Sequence, residues 1–174
     1  MIRPDTLVFR TLAAMSRQRR DMPGTRCDAV AELLHTGSLV HLALRRQLEE
    51  AGLTDLKFAV LVALYALEPH RATTNDLAFY TGYTRPAVAE AITELSARRL
   101  VASERDTTER RVLYLRLTPA GRQLGERTAL DYLRAIARMT RDLKPPALAA
   151  LQRACVHLAQ GALRLSSPPQ PSSA

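Results

Sequence analysis

Residues 74–121 read TNDLAFYTGYTRPAVAEAITELSARRLVASERDTTERRVLYLRLTPAG. The residue pattern changes period within this stretch, and the changes decide the fold. Thr74 to Tyr80 predicts a short helix, broken at Gly82, where a missing Cβ permits a sharp turn. Thr84 is placed to cap a second helix, with Pro86 tolerated in its first turn. That helix should run to about Arg98, with Val88, Ile92 and Leu95 facing inward and Arg85, Pro86, Ala89, Glu90 and Thr93 facing outward. Leu100 to Arg105 and Val112 to Leu117 then read as strands, with Leu113, Leu115 and Leu117 alternating with Val112, Tyr114 and Arg116. A charged hairpin tip, residues 106–111, joins them. Thr118-Pro119 opens a long helix expected to end near Leu143. Two helices joined by a glycine-containing turn and followed by a hairpin predict a winged helix-turn-helix.

Outward from this stretch the chain is helical. Upstream, Thr54 is placed to cap a helix over Leu56–Leu67 that is apolar nearly all round and stopped by Pro69. Before it, Val30, Leu34, Gly37, His41, Leu44 and Leu48 recur at helical spacing between Cys27 and Ala51, and Gly52 closes that helix. Within residues 1–24, Leu7, Val8, Phe9, Leu12 and Met15 suggest a short amphipathic helix ended near Pro23-Gly24. Downstream, Pro145-Pro146 starts a last helix. Its Leu148, Leu151, Cys155, Leu158, Ala162 and Leu165 form a heptad seam suited to packing on another helix. Ser166 to Ala174 has no apolar anchor and reads as a disordered tail. The fold class is mainly α with a small β-hairpin wing.

The charge balance points to a partner. Lys and Arg total 25 against 17 Asp and Glu in 174 residues, a net charge of +8, with an isoelectric point near 10.3. Lysine occurs only at Lys57 and Lys144, so the positive charge is almost all arginine. Such a balance is the electrostatic footprint of a phosphate-binding protein. No apolar run approaches the ~18 residues of a membrane span. Two cysteines, Cys27 and Cys155, are too few for a disulfide scaffold or a zinc site. The histidines form no metal-binding spacing, no glycine loop is built to cradle phosphate, and no nucleophile motif is present. The reading is therefore of a non-enzyme without cofactor or metal. No apolar core follows Arg17, Arg19 and Arg20, so no secretory leader is expected and the location should be cytoplasmic.

On a winged helix the outward face of the second helix has to be slim enough to enter a major groove about 12 Å wide. Ala89 and Thr93 meet that need, Thr84 and Pro86 sit at the helix entry, and Arg85 is placed to reach guanine or phosphate. Arg110 and Arg111, with Arg105 across from them, would straddle a backbone or enter a minor groove. Glu90 has two readings. It accepts a hydrogen bond from cytosine N4, or it is aimed away from phosphate.

Residues 53–121 resemble the winged helix-turn-helix of the multiple antibiotic resistance regulator (MarR) family. Thr84-Arg85-Pro86-Ala87-Val88 is similar to that family's Ser-x-x-Thr-Val recognition-helix start, and Leu95 through Leu100-Val101 to its helix end and first wing strand. Asp106 to Arg111 resembles its Asp-x-x-Asp-Arg-Arg wing, and Leu117-Thr118-Pro119-Ala120-Gly121 its Leu-Thr-x-x-Gly. The chain departs from the family pattern at Arg99, often Gly, at Glu90, often basic, at Glu109, usually Asp, and at Phe79 and Tyr80, commonly charged. The resemblance implies a bacterial or archaeal, nucleoid-associated homodimer that binds a palindromic duplex operator as a repressor. It divides the chain into an N-terminal extension (1–26), a first dimerisation helix (27–52), the DNA-binding region (53–121), C-terminal dimerisation helices (122–165) and a tail (166–174). Leu148, Leu151, Cys155, Leu158 and Leu165 are the expected dimer contacts.

The resemblance also implies an effector, often an aromatic acid or phenol, held between the dimerisation helices and the winged domain. The residues offered for it are His35, Ser38, His41, Arg45, Arg46 and Tyr65. His41 shares a stripe with Leu34 and Leu44 and is expected to face the interior, either as a core histidine bonded to a carbonyl or as a ligand contact. Cys27, near a helix start, and Cys155, in the seam, admit a thiol-based redox switch as an alternative, or serve as small apolar residues. A winged helix used only for protein contacts is the reading from another class.

Overall fold

Three threonines begin helices by the same device. The hydroxyl of Thr54 accepts from the Lys57 amide at 3.3 Å, that of Thr73 from Asp76 at 3.3 Å and that of Thr118 from Gly121 at 3.0 Å. Asp76 completes a capping box by accepting from the Thr73 amide at 2.8 Å. The computed structural model describes residues 7–19, 24–67, 71–105 and 112–166. Its elements are α1 (Leu7–Gln18), α2 (Gly24–Glu50), α3 (Asp55–Ala66), α4 (Thr74–Thr81), α5 (Arg85–Ala97), β1 (Val101–Arg105), β2 (Leu113–Leu117), α6 (Pro119–Met139) and α7 (Pro145–Ser166). The chain divides into two units, Met1–Ala135 and Ile136–Ala174. No described helix is long and apolar enough to cross a membrane.

In the first unit α3 is the centre. Its Val60, Leu61 and Leu64 are fully buried, joined by Leu48 of α2, Leu77 of α4, Val88 and Leu95 of α5, and Leu115 of β2. Gly82 joins α4 to α5 at φ 72°, in the left-handed region that the turn demands. The hairpin is antiparallel, in a register that pairs Val101 with Leu117 and Arg105 with Leu113. Ala72 adds a single bridge to Leu115, exchanging bonds of 2.8 and 3.3 Å, and so ties the approach to α4 to the wing. In the second unit α7 is exposed along almost its whole length.

The structure shifts several expected boundaries. α2 begins at Gly24, before Cys27, and α1 already ends at Gln18. α6 stops at Met139 rather than near Leu143. There the Thr140 hydroxyl bonds back to the Ile136 carbonyl at 2.9 Å, the Leu143 amide turns to Thr140, and Lys144 precedes a proline that disfavours helix. Helix α7 includes Ser166, the first residue of the expected tail. Leu113 is 45% exposed because it lies past the last core-facing pair of the hairpin. The stop at Pro69, the break at Pro23, the hairpin tip 106–111 and the tail beyond Ser166 lie outside the described residues.

The hairpin and α6 meet at one carbonyl. A Cβ at position 121 would fall 1.9 Å from the Leu100 oxygen. Gly121→Ala should therefore force the wing off α6 and cost at least about 1–3 kcal/mol, read by chemical denaturation. Arg99, at φ 57°, is the one non-glycine among the described residues in the left-handed region. Glycine removes a left-handed clash worth about 1–2 kcal/mol and adds about 0.5–1 kcal/mol of unfolded-chain entropy cost, so Arg99→Gly should raise stability by about 0.5–1 kcal/mol, and a loss in the same assay would refute the strain.

Candidate nucleic-acid interface

The outward face of α5 is what the fold presents. Val88, Ala91, Ile92 and Leu95 anchor the helix in the core. Arg85, Pro86, Ala89, Glu90 and Thr93 are all exposed. The small Ala89 keeps the middle of the face low, and the Thr93 hydroxyl donates to the Ala89 carbonyl at 3.0 Å, which fixes its rotamer. Thr84 occupies the N-cap position, but its side chain makes no capping bond, contrary to expectation. Pro86 removes the second helical amide as a donor, and the third, that of Ala87, is not engaged by the Thr84 hydroxyl. Arg85 has no ion pair among the described residues.

Polar ties on the other side hold α5 in place. Lys57 of α3, whose side chain is only 16% exposed, pairs with Glu94. At the end of α5, Arg98 donates to the Gly52 carbonyl at 2.6 Å and reaches Ala51 at 3.5 Å, so it satisfies orphan carbonyls where α2 ends. Sequence inspection missed both ties. They join residues about forty positions apart, and only the packing of α2, α3 and α5 brings them together.

On the hairpin, Arg105 is exposed at the end of β1, while Arg116 lies 3.9 Å from Glu104. Arg110 and Arg111 lie outside the described residues. Phe79 and Tyr80 on α4 are exposed and meet edge to face, centroids 5.5 Å apart.

The expected effector residues do not form one cluster. His41 is exposed rather than interior, because α2 buries only Leu44 and Leu48 and leaves its other faces to solvent in the single chain. Its Nε2 lies 3.9 Å from Asp55, at the start of α3. Arg45 pairs with Glu49 at 3.0 Å, the Ser38 hydroxyl donates to the Leu34 carbonyl, Arg46 is exposed and His35 is half-buried. Tyr65 alone among them lines a groove of about 350 Å³ between α3 and α6, with Leu61, Val62, Ala129, Leu130 and Leu133. The Arg122 guanidinium sits 5.2 Å from the Tyr65 ring centre. Tyr132, which the sequence did not single out, stacks on Phe58 at 5.4 Å, and burial first, then the charge of Asp55, raises its pKa above the usual 10.0. Cys27 and Cys155 are free and exposed.

A helix-turn-helix with an exposed, unpaired reading face and an adjoining hairpin defines a winged helix-turn-helix of the kind that binds DNA. Residues 51–112 match the MarR family model. No curated protein matches the sequence. Among solved structures, AbsC, a MarR family transcriptional regulator from Streptomyces coelicolor, is 28% identical, with a TM-score of 0.70 over 84% of this chain and 99% of its own. A mutant of S. aureus MepR bound to an oligodeoxyribonucleotide shares the fold at 19% identity and TM-score 0.55, covering 72% of this chain and 91% of that one. So does Bordetella bronchiseptica BpsR, described for regulation of its DNA binding by 6-hydroxynicotinic acid, at 24% identity and TM-score 0.62, covering 75% and 92%. Residues 51–112 are thus similar to the MarR family, and the described fold is that of its winged helix-turn-helix members.

The tie from Arg98 generates a test. Arg98→Ala leaves the carbonyls at the end of α2 to water and should cost about 1 kcal/mol. Thermal unfolding that is unchanged would show that the bond contributes nothing in solution.

Proposed function

We propose that this chain is a homodimeric repressor that reads a palindromic duplex operator with α5 and its hairpin wing, and that a small aromatic acid or phenol relieves binding. One observation carries the reading: α5 is anchored by Lys57 and Arg98 on its inner side while Arg85, Pro86, Ala89 and Thr93 stand exposed on its outer side. Arg85 and Thr93 are the candidates for base contacts, and Arg105, Arg110 and Arg111 for phosphate contacts. The dimer rests on the seam of α7, where Leu148, Leu151, Leu158 and Leu165 are exposed at 39%, 49%, 43% and 90% and Cys155 is also exposed. An apolar face of that extent is expected to be covered by a partner. The effector is assigned to the α3–α6 groove, whose volume suits a small ligand and whose apolar walls stand near Tyr65 and Arg122. Arg122 stands beside the groove but pairs with Glu126 of its lining at 3.6 Å, so the site favours a phenol, and a carboxylate has to displace that partner.

Titrating the protein–operator complex tests the reading. Aromatic carboxylates or phenols should release DNA from the wild type, and Leu130→Asp should blunt release while leaving operator affinity within about threefold, since Leu130 is exposed in the groove wall. Sedimentation should give a dimer at micromolar concentration, lost or aggregated in Leu151→Asp. Release by peroxide, reversed by dithiothreitol and abolished by Cys27→Ser, would favour the thiol switch instead. Failure of the wild type to bind any duplex would leave a winged helix that serves protein contacts alone.

A further inference from the structure

Helix α5 carries two carboxylates, Glu90 and Glu94, and the structure treats them differently. Glu94 is neutralised by Lys57. Glu90 is exposed and has no ion pair or hydrogen bond among the described residues. At about 100° per residue, Glu90 lies roughly 150° round the helix from the middle of the buried Val88–Ala91–Ile92–Leu95 face, close to its outermost line. Pro86, Ala89 and Thr93 flank it, and none of them carries a charge that would offset it.

An unpaired anion at that position works against the rest of the molecule. The protein carries a net charge of +8, and a groove between phosphate strands repels a carboxylate. The repulsion is repaid only where a base offers a hydrogen-bond donor. The major groove exposes two, cytosine N4 and adenine N6. Adenine N6 stands beside N7, an acceptor that repels the second carboxylate oxygen. Cytosine N4 stands beside a C–H edge, which tolerates it. A carboxylate therefore discriminates between the two donors and rejects the all-acceptor edge of guanine and the acceptor and methyl of thymine.

From this we infer that Glu90 is a specificity-determining residue that selects cytosine at one position of each operator half-site and lowers affinity for all other DNA. The inference rests on the DNA-binding reading above and sharpens it. Glu90 acts by exclusion as much as by attraction: it makes the wrong sequence costly rather than the right one very tight. That role suits an arginine-rich protein whose non-specific attraction to any duplex is already strong.

The test is selection of binding sites from a randomised duplex library with the full chain, Glu90→Gln and Glu90→Ala, followed by affinities on single-position variants of the selected site. The wild type should require cytosine at one position per half-site, with a loss of roughly 5- to 150-fold for other bases. Glu90→Gln, which offers a donor and an acceptor, should move that preference to adenine and leave every other position unchanged. Glu90→Ala should accept all four bases there and bind random duplex more tightly than the wild type. Thermal midpoints should move little, since the exposed side chain has no ion pair or hydrogen bond among the described residues. Identical preferences in the wild type and both variants would overturn the inference while leaving DNA binding intact. Loss of preference at many positions at once would overturn it too, because it would mean that the helix had been repositioned. A wild type that enriches no sequence would overturn the DNA-binding reading itself, and this inference with it.

Discussion

The carbonyl of Leu100 is where the winged domain is tied together. It accepts from the Thr118 amide at 3.1 Å and from the Thr118 hydroxyl at 3.2 Å, and that same hydroxyl also donates to Arg99 at 2.7 Å. Gly121 lies so near that no side chain fits between. One oxygen thus fixes the exit of α5, the base of the hairpin and the first turn of α6. Each is a short element with little surface to bury. A two-stranded hairpin is marginal by itself and needs such a fixed base to hold a direction.

From that point rigidity spreads inward. α5 is held by burial of Val88, Ile92 and Leu95 and by two polar ties, Lys57 to Glu94 and Arg98 to the end of α2. Neither tie touches the exposed face. The pairing of Glu94 removes one of the helix's two negative charges from any field felt by a ligand and leaves Glu90 as the other. Core and reading face are therefore independent: exposed residues can change without loss of packing, as is general for sites grafted on a rigid fold.

The groove between α3 and α6 has a different character. α3 is apolar on nearly every side, yet Val62 and Tyr65 remain 40% and 45% exposed. They line the groove, to which α6 contributes Gly125, Glu126, Ala129, Leu130 and Leu133. Leu61, which also lines it, belongs to the core, so part of the groove wall is held by the packing of α3.

Much of the fold was legible in the residues themselves. The caps at Thr54 and Thr118, Gly82 at the turn, the apolar character of α3, the inward face of α5 and the alternation of the strands are encoded locally, since capping, left-handed φ and hydrophobic period act within a few residues. The outward set Arg85, Pro86, Ala89, Glu90 and Thr93 followed from the same period. What the sequence could not determine were relations across the chain. His41 follows an inward stripe in sequence but is exposed, because a stripe names a face and not the element that covers it. Thr84 looks like a cap but makes no capping bond. The pairing of Lys57 with Glu94, the reach of Arg98 to Gly52, the bridge of Ala72 to Leu115 and the approach of Gly121 to Leu100 all join residues distant in sequence. Such contacts depend on which surfaces meet, and only tertiary packing decides that.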